Sequence, residues 1–229
     1  ATRPGSPPRP PDGLWTSAPT TLTMRIERVE ASKHKRGRVL VFLEDGACLK
    51  ITEQELLDFG LRAGDRLDDA ALARLKEAAG ISNVKVTAAD LVGRRAMSRQ
   101  ELERKLTEKG ASEAEARYAA EWLEAIGAID DRDYAALLAR HCGQMGWGPA
   151  RVREKLREKG VPRELWDEAL EELPEAGGQI DAFLTARLRG RMPDQREKKR
   201  LTDALLRRGF SWGEVRSAWL RQGQELPEA

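Results

Sequence analysis

The sequence predicts a mainly α protein of tandem three-helix repeats forming an elongated array, preceded by a small β-hairpin or meander with helices. Three observations predict it. The motif Leu-x-x-(Lys/Arg)-Gly occurs at Leu106 to Gly110, Leu156 to Gly160 and Leu205 to Gly209, with glycines 50 and 49 residues apart. Helix-capping residues recur in register around each copy, which separates a repeat from a coincidence of common residues. The stretch from Met24 shows short-period apolar alternation instead of helical spacing. The expected divisions are a Pro-rich leader at 1–23, a β-meander with two short helices at 24–85, and repeats at 86–129, 130–176 and 177–229.

The leader carries prolines at 4, 7, 8, 10, 11 and 19 and is expected to be disordered. Arg25 to Glu30 alternates, Lys33 to Gly37 makes a polar turn, and Val39 to Leu43 is a continuous apolar strand. Asp45-Gly46 is a hairpin turn and Cys48 to Ile51 a third short strand. Helices at 52–59 and 68–79, separated by a Gly60 to Gly64 turn, should cover one face of this three-stranded sheet, which is marginal alone.

Each repeat begins with an apolar-periodic stretch, at 87–96, 130–145 and 179–189. The middle helix follows. Ser98 is its N-cap in the first copy, with Glu101 completing a capping box and Met97 and Leu102 in the staple positions. Gly148 caps the second, with Pro149 at the first helical position and Trp147 and Val152 as staple. Asp194 caps the third, about a turn further from its glycine. The motif glycine then supplies the left-handed residue that ends each helix. The closing helices open on a Ser112/Glu115 box, on Pro162, and on a Ser211/Glu214 box with Phe210 and Val215 as staple.

Charge is balanced overall, 40 basic against 38 acidic residues, so the chain is no polycation. It is uneven along its length: residues 177–229 carry 11 basic and 7 acidic groups, and residues 130–176 carry 8 and 11. Cys48 and Cys142 have no metal-ligand spacing and read as small core residues of a protein from a reducing compartment. No run approaches the length of a membrane span, and a cytoplasmic location is expected. His34 and His141 are the two histidines, so a histidine-based triad or a multi-histidine metal site is disfavoured. There is no phosphate-cradling glycine motif. Asp130, Asp131 and Asp133 read as helix initiation rather than a cation site. No enzymatic activity, cofactor or metal is expected.

Two basic features could bind a partner. The first is a stripe on the middle helices: Arg99, Arg104, Lys105 and Lys109; Arg151, Arg153, Lys155, Arg157 and Lys159; and Arg196, Lys198, Lys199, Arg200, Arg207 and Arg208. It could track a phosphate backbone or an acidic protein surface. It could equally be a solvated face paired to Glu101, Glu108, Glu154 and Glu158. The second is the turn holding Lys33, Lys35, Arg36 and Arg38, either a solvated hairpin or a phosphate contact. Trp122, Trp166 and Trp219 read as core; Trp147 and Trp212 should be partly exposed.

Ser98-Arg99-Gln100-Glu101-Leu102-x-x-Lys105-Leu106-x-x-Lys109-Gly110, then Ile129-Asp130-Asp131-x-x-Tyr134-Ala135, then Trp147-Gly148-Pro149 to Leu156-x-x-Lys159-Gly160-Val161, resemble the RecX family of bacterial RecA modulators. The resemblance runs over about residues 24–221. It implies a modular, non-catalytic protein that binds the RecA filament on single-stranded DNA and restrains ATP hydrolysis and strand exchange in recombination, repair and the SOS response. Contact with duplex DNA and a monomeric state are separate expectations. The basic middle helices would then face RecA or DNA. The third copy departs from the pattern, with Ala204 where the first two have Lys105 and Lys155. A tandem three-helix duplex-DNA reader of the Myb or helix-turn-helix kind and a helical-repeat scaffold are the rival readings.

Overall fold

The computed structural model describes residues 23–33 and 35–224, so the expected leader, Thr23 excepted, and His34 lie outside the described residues. The chain divides into two compact units, Ala1–Ala79 and Gly80–Ala229.

The first unit is an antiparallel sheet of four strands, not three, in the order β3-β2-β1-β4. β1 (Thr23–Ala31), β2 (Arg38–Leu43) and β3 (Cys48–Thr52) are the expected meander. The added β4 (Arg66–Asp68) pairs Leu67 with Met24 of β1. Its three residues are too few to show a period, and it falls where the helix at 68–79 was expected to begin. Ile26, Val41, Leu43 and Ile51 form the core with Leu72, Leu75 and Ala79 of the following helix. α1 (Glu53–Asp58) opens with a full capping box between Thr52 and Glu55. Cys48 is exposed, against expectation, because β3 turns it away from this core.

The expected helices at 68–79 and 87–96 are one continuous helix, α2 (Asp69–Val92). Gly80 and Asn83 are weak helix formers, but a glycine costs only about 1 kcal/mol there. Packing on both sides outweighs that: Leu72, Leu75 and Ala79 join the sheet core, and Ala88 joins the first repeat's core.

The second unit contains three small cores. Ala88 of α2, Leu102 and Leu106 of α3 (Arg99–Glu108), and Ala116, Ala120 and Leu123 of α4 (Glu113–Ala125) make the first. Tyr134, Ala139 and Cys142 of α5 (Asp131–Gln144), Val152 and Leu156 of α6 (Pro149–Glu158), and Ala169 of α7 (Trp166–Glu171) make the second. A single 3-10 turn at Arg163–Leu165 precedes α7. Ile180 and Leu184 of α8 (Ala176–Leu188), Leu201 and Leu205 of α9 (Gln195–Arg207), and Val215 and Trp219 of α10 (Trp212–Arg221) make the third. Trp219 is fully buried and its Nε1 donates to Thr202 Oγ1 at 3.0 Å. The staple pairs Met97/Leu102, Trp147/Val152 and Phe210/Val215 each lie in or against their own repeat's core.

Candidate functional site

The middle helices meet end to end, because Gly160 and Gly209 each leave room for the start of another middle helix. Ser98, the N-cap of α3, receives the Glu101 N–H and donates its own hydroxyl to the Lys159 carbonyl at the end of α6. A Cβ on Gly160 would lie 2.9 Å from Gln100 Cβ, so only glycine permits this approach. The same contact recurs one repeat on. The Gly148 N–H donates to the Arg208 carbonyl at 2.7 Å, and the Ala150 N–H to the Gly209 carbonyl at 3.1 Å. A Cβ on Gly148 would stand 2.6 Å from the Gly209 backbone. In both junctions the orphan carbonyls of one helix end are satisfied by the start of another.

The first junction is ionic. Glu101 does not complete the expected capping box. Its side chain, 3% exposed, turns to Arg95 at 2.6 Å and Lys159 at 3.6 Å. Burial pushes the Glu101 carboxyl up, but the Arg95 hydrogen bond and the Lys159 and Arg95 charges outweigh it and hold it below its ordinary value. Asp130 caps its own helix, accepting from the Arg132 and Asp133 N–H groups, whereas Asp131 accepts from the Arg99 N–H at 2.8 Å and so caps α3 from the neighbouring repeat. Burial raises the Asp131 carboxyl, opposed by that hydrogen bond. Tyr134, raised by burial and the Glu101 charge, closes the group.

These contacts occupy much of the expected stripe in the first two repeats. Arg99 is held by Glu103 at 3.0 Å, Glu124 at 2.8 Å and Glu121 at 3.2 Å, tying α3 to α4. Lys159 belongs to the junction and Arg151 lies over the Trp147 ring at 3.9 Å. Lys155 pairs with Glu158 at 2.9 Å, while the exposed Arg104, Arg153 and Arg157 sit 3.7 to 4.0 Å from Glu108, Asp167 and Glu154. Lys109 is exposed and Lys105 half-buried. Arg104, Arg157 and Lys159 share a cleft of about 380 Å³ with Gln100, Glu101 and Glu158, so its charge is mixed.

The third repeat differs. Lys198 is buried, 8% exposed, and leaves the stripe. Arg208 packs over the Phe183 ring at 4.5 Å and Arg200 reaches Glu197 at 3.7 Å. Arg196, Lys199 and Arg207 are exposed and, among the described residues, have no carboxylate within 4.0 Å. The copy that matches the repeat pattern least well therefore presents the most available cations. In the first unit Lys33, Lys35 and Arg36 are exposed, but Arg38 is buried in β2, 7% exposed, and drops out of the basic turn.

Asp131, read from the sequence as initiating its own helix, caps α3 instead, and Arg95, Arg191 and Glu197 escaped the sequence reading. Their signal was a shared spacing: Arg95, Ser98 and Glu101 match Arg191, Asp194 and Glu197 around the two caps, and Arg191 reaches Glu197 at 3.7 Å. Among the described residues there is no cluster of His, Cys, Asp or Glu fit for a metal ion, and no helix long and apolar enough to cross a membrane.

Comparison with known proteins agrees with this architecture. The profile of the RecX first three-helix domain matches residues 85–123, and that of the second matches residues 130–170. The regulatory protein RecX of Levilactobacillus brevis is 30% identical over 193 residues, 81% of this chain and 71% of the relative. That of Pseudomonas entomophila is 33% identical over 130 residues, 56% of this chain and 84% of the relative. A crystal structure of regulatory protein RecX superimposes with a TM-score of 0.62 at 25% identity, over 85% of this chain and 98% of that one. The crystal structure of RecX from Lactobacillus salivarius, at 21% identity and a TM-score of 0.54 over 63% of this chain and 97% of that one, shares the fold.

Proposed function

Since the chain belongs to the RecX family of regulatory proteins, we propose that it regulates homologous recombination without catalysis, by binding the RecA filament on single-stranded DNA and restraining its ATP hydrolysis and strand exchange. The observation that carries the contact surface is the exposed set Arg196, Lys199 and Arg207 on α9. Cations without carboxylate partners keep their full attraction for phosphate or for an acidic protein face, whereas those already paired contribute little. The face therefore sits chiefly on the third repeat. Reversing Lys159 would be a poor probe of binding, because that residue joins two repeats.

The test titrates the protein into preformed RecA filaments on single-stranded DNA. ATP hydrolysis by RecA should fall, and the protein alone should hydrolyse none. No change in hydrolysis rate or filament length at equimolar protein would sink the proposal. The double variant Lys199→Glu, Arg207→Glu should lose most of the inhibition while its far-ultraviolet spectrum stays that of the parent. A protein that bound duplex DNA alone, with sequence preference and a steep salt slope, would be the three-helix DNA reader instead.

A further inference from the structure

The two occupied junctions define one interface used twice, and among the described residues each of its halves also occurs once without a mate. The receiving half is a helix end with a basic C-cap and a glycine: Lys159-Gly160 holds the start of α3, and Arg208-Gly209 holds the start of α6. Lys109-Gly110 at the end of α3 is built the same way. Nothing lies within 4 Å of the position a Gly110 Cβ would take, and the exposed Lys109 has no carboxylate within 4.0 Å among the described residues. The entering half is a helix start. Those of α3 and α6 are occupied, and that of α9 is not matched to any preceding glycine end.

The free start and the free end are chemically matched. At the α3 start, Glu101, three residues after the cap, takes Lys159 while Arg95, three residues before it, supports the carboxylate. The α9 start repeats this set: Glu197 follows the Asp194 cap by three residues, Arg191 precedes it by three, and the two side chains are 3.7 Å apart. Arg200 also reaches Glu197 at 3.7 Å from an exposed position on the same helix, so an incoming lysine would share the carboxylate with it. Asp194 has no hydroxyl to donate, but it keeps a backbone N–H, the group by which Gly148 reaches the Arg208 carbonyl. The basic residue awaiting a partner at the other end is a lysine, as in the junction where Glu101 is used.

We propose that the start of α9 in one molecule docks on the end of α3 in another, with Glu197 taking Lys109, so that copies of this chain join head to tail. Such a contact is heterologous and propagates instead of closing. A single helix end buries little surface, so the contact is weak between free molecules and, if the protein binds the RecA filament as proposed above, strengthens where copies lie along that polymer.

The test needs neither RecA nor DNA, so its failure leaves the regulatory proposal standing. In a Cys48→Ser background, Glu108→Cys is placed in one sample and Arg196→Cys in another; the residues at the equivalent positions of the intact junction, Glu158 and Gln100, line one cleft. A short bismaleimide should link the two variants in a mixture several-fold more than it links Glu108→Cys to an Arg163→Cys control. A chain carrying both cysteines should give a ladder. Adding Lys109→Glu to the first variant should abolish the excess, and adding Glu197→Lys to the second should restore it. Mixed yield no higher than the control, or equal linking of Glu108→Cys to itself, overturns the proposal.

Discussion

The junction between the first and second repeats and that between the second and third use the same geometry with different chemistry. The first relies on side chains: Ser98, Glu101 and Lys159, with Asp131 capping from the adjoining helix. The second relies on the backbone, through the Gly148 and Ala150 N–H groups and the Arg208 and Gly209 carbonyls. The residue three positions after the cap shows the divergence best. Glu101 is buried between two cations, whereas its counterpart Arg151 lies on the Trp147 ring. Stacking of helix ends is thus the constraint the two junctions share. Given a glycine at one end and a small cap at the other, either charge or backbone hydrogen bonding completes the contact.

The sharpest way to break this comparison is at the glycines. Gly209 has φ +91° and its Cβ would strike the Arg151 backbone, while Gly110 has φ +94° and open space. Gly209→Ala should cost about 3 kcal/mol or more, combining ~1–2 kcal/mol for the left-handed conformation with ~1–3 kcal/mol for overpacking. Gly110→Ala should cost only the conformational part, about 1–2 kcal/mol. Urea unfolding midpoints compare them, and equal losses would mean that the glycine serves only to end its helix.

Next in size is the buried carboxylate. Glu101→Ala leaves Arg95 and Lys159 facing each other and should cost about 3 kcal/mol. Arg151→Ala removes a ring contact and should cost about 1 kcal/mol or less. Similar values for the two would erase the distinction between an ionic and a backbone junction. Ser98→Ala loses a cap and its link to the Lys159 carbonyl together, an expected loss of about 1–2 kcal/mol on the same measurement.

Acid should separate the junctions by a smaller margin. Glu101 is held below its unfolded value, so its stabilisation is complete above the ordinary glutamate range near ~4.3 and is lost as pH falls through the lower folded value. Asp131 is raised, so its charged form weakens the folded state at neutral pH and that penalty disappears as pH falls through its folded value. Protection of the Leu102 amide in native-state hydrogen exchange, corrected for intrinsic rate, should therefore drop more steeply below pH 4 in the parent than in Glu101→Gln. The Ala150 amide, donor to a carbonyl in a junction with no carboxylate, should follow only global stability. Asp131→Asn keeps an acceptor for Arg99 and should change stability at pH 7 by no more than about 1 kcal/mol. A large loss would show that its charge is needed.

Most of the helical architecture was legible in the sequence because its signals act locally. Ser112 and Glu115, Ser211 and Glu214, Asp130 and Asp194 cap as their positions require. The errors occur where distant parts override local preference. The stretches 68–79 and 87–96 read as two helices, yet α2 runs through both because each half of it has a core to cover. Glu101 read as half of a capping box, yet a lysine from the next repeat and an arginine ahead of the cap offered it a stronger pairing. The candidate face suffered in the same way: the shared register of Lys105 with Lys155 and of Lys109 with Lys159 favoured the first two repeats, but neighbouring carboxylates hold Arg99, Lys155 and Lys159.

By itself the sequence determined the repeat, its period, both ends of the middle helices and the starts of the closing ones, because a cap or a left-handed glycine acts within a few residues of where it stands. Only the tertiary structure decided what the motif glycines are for and which charges remain available. Those answers depend on helix ends packing against each other and on pairs such as Ser98 and Lys159, 61 residues apart, whose meeting no local signal announces.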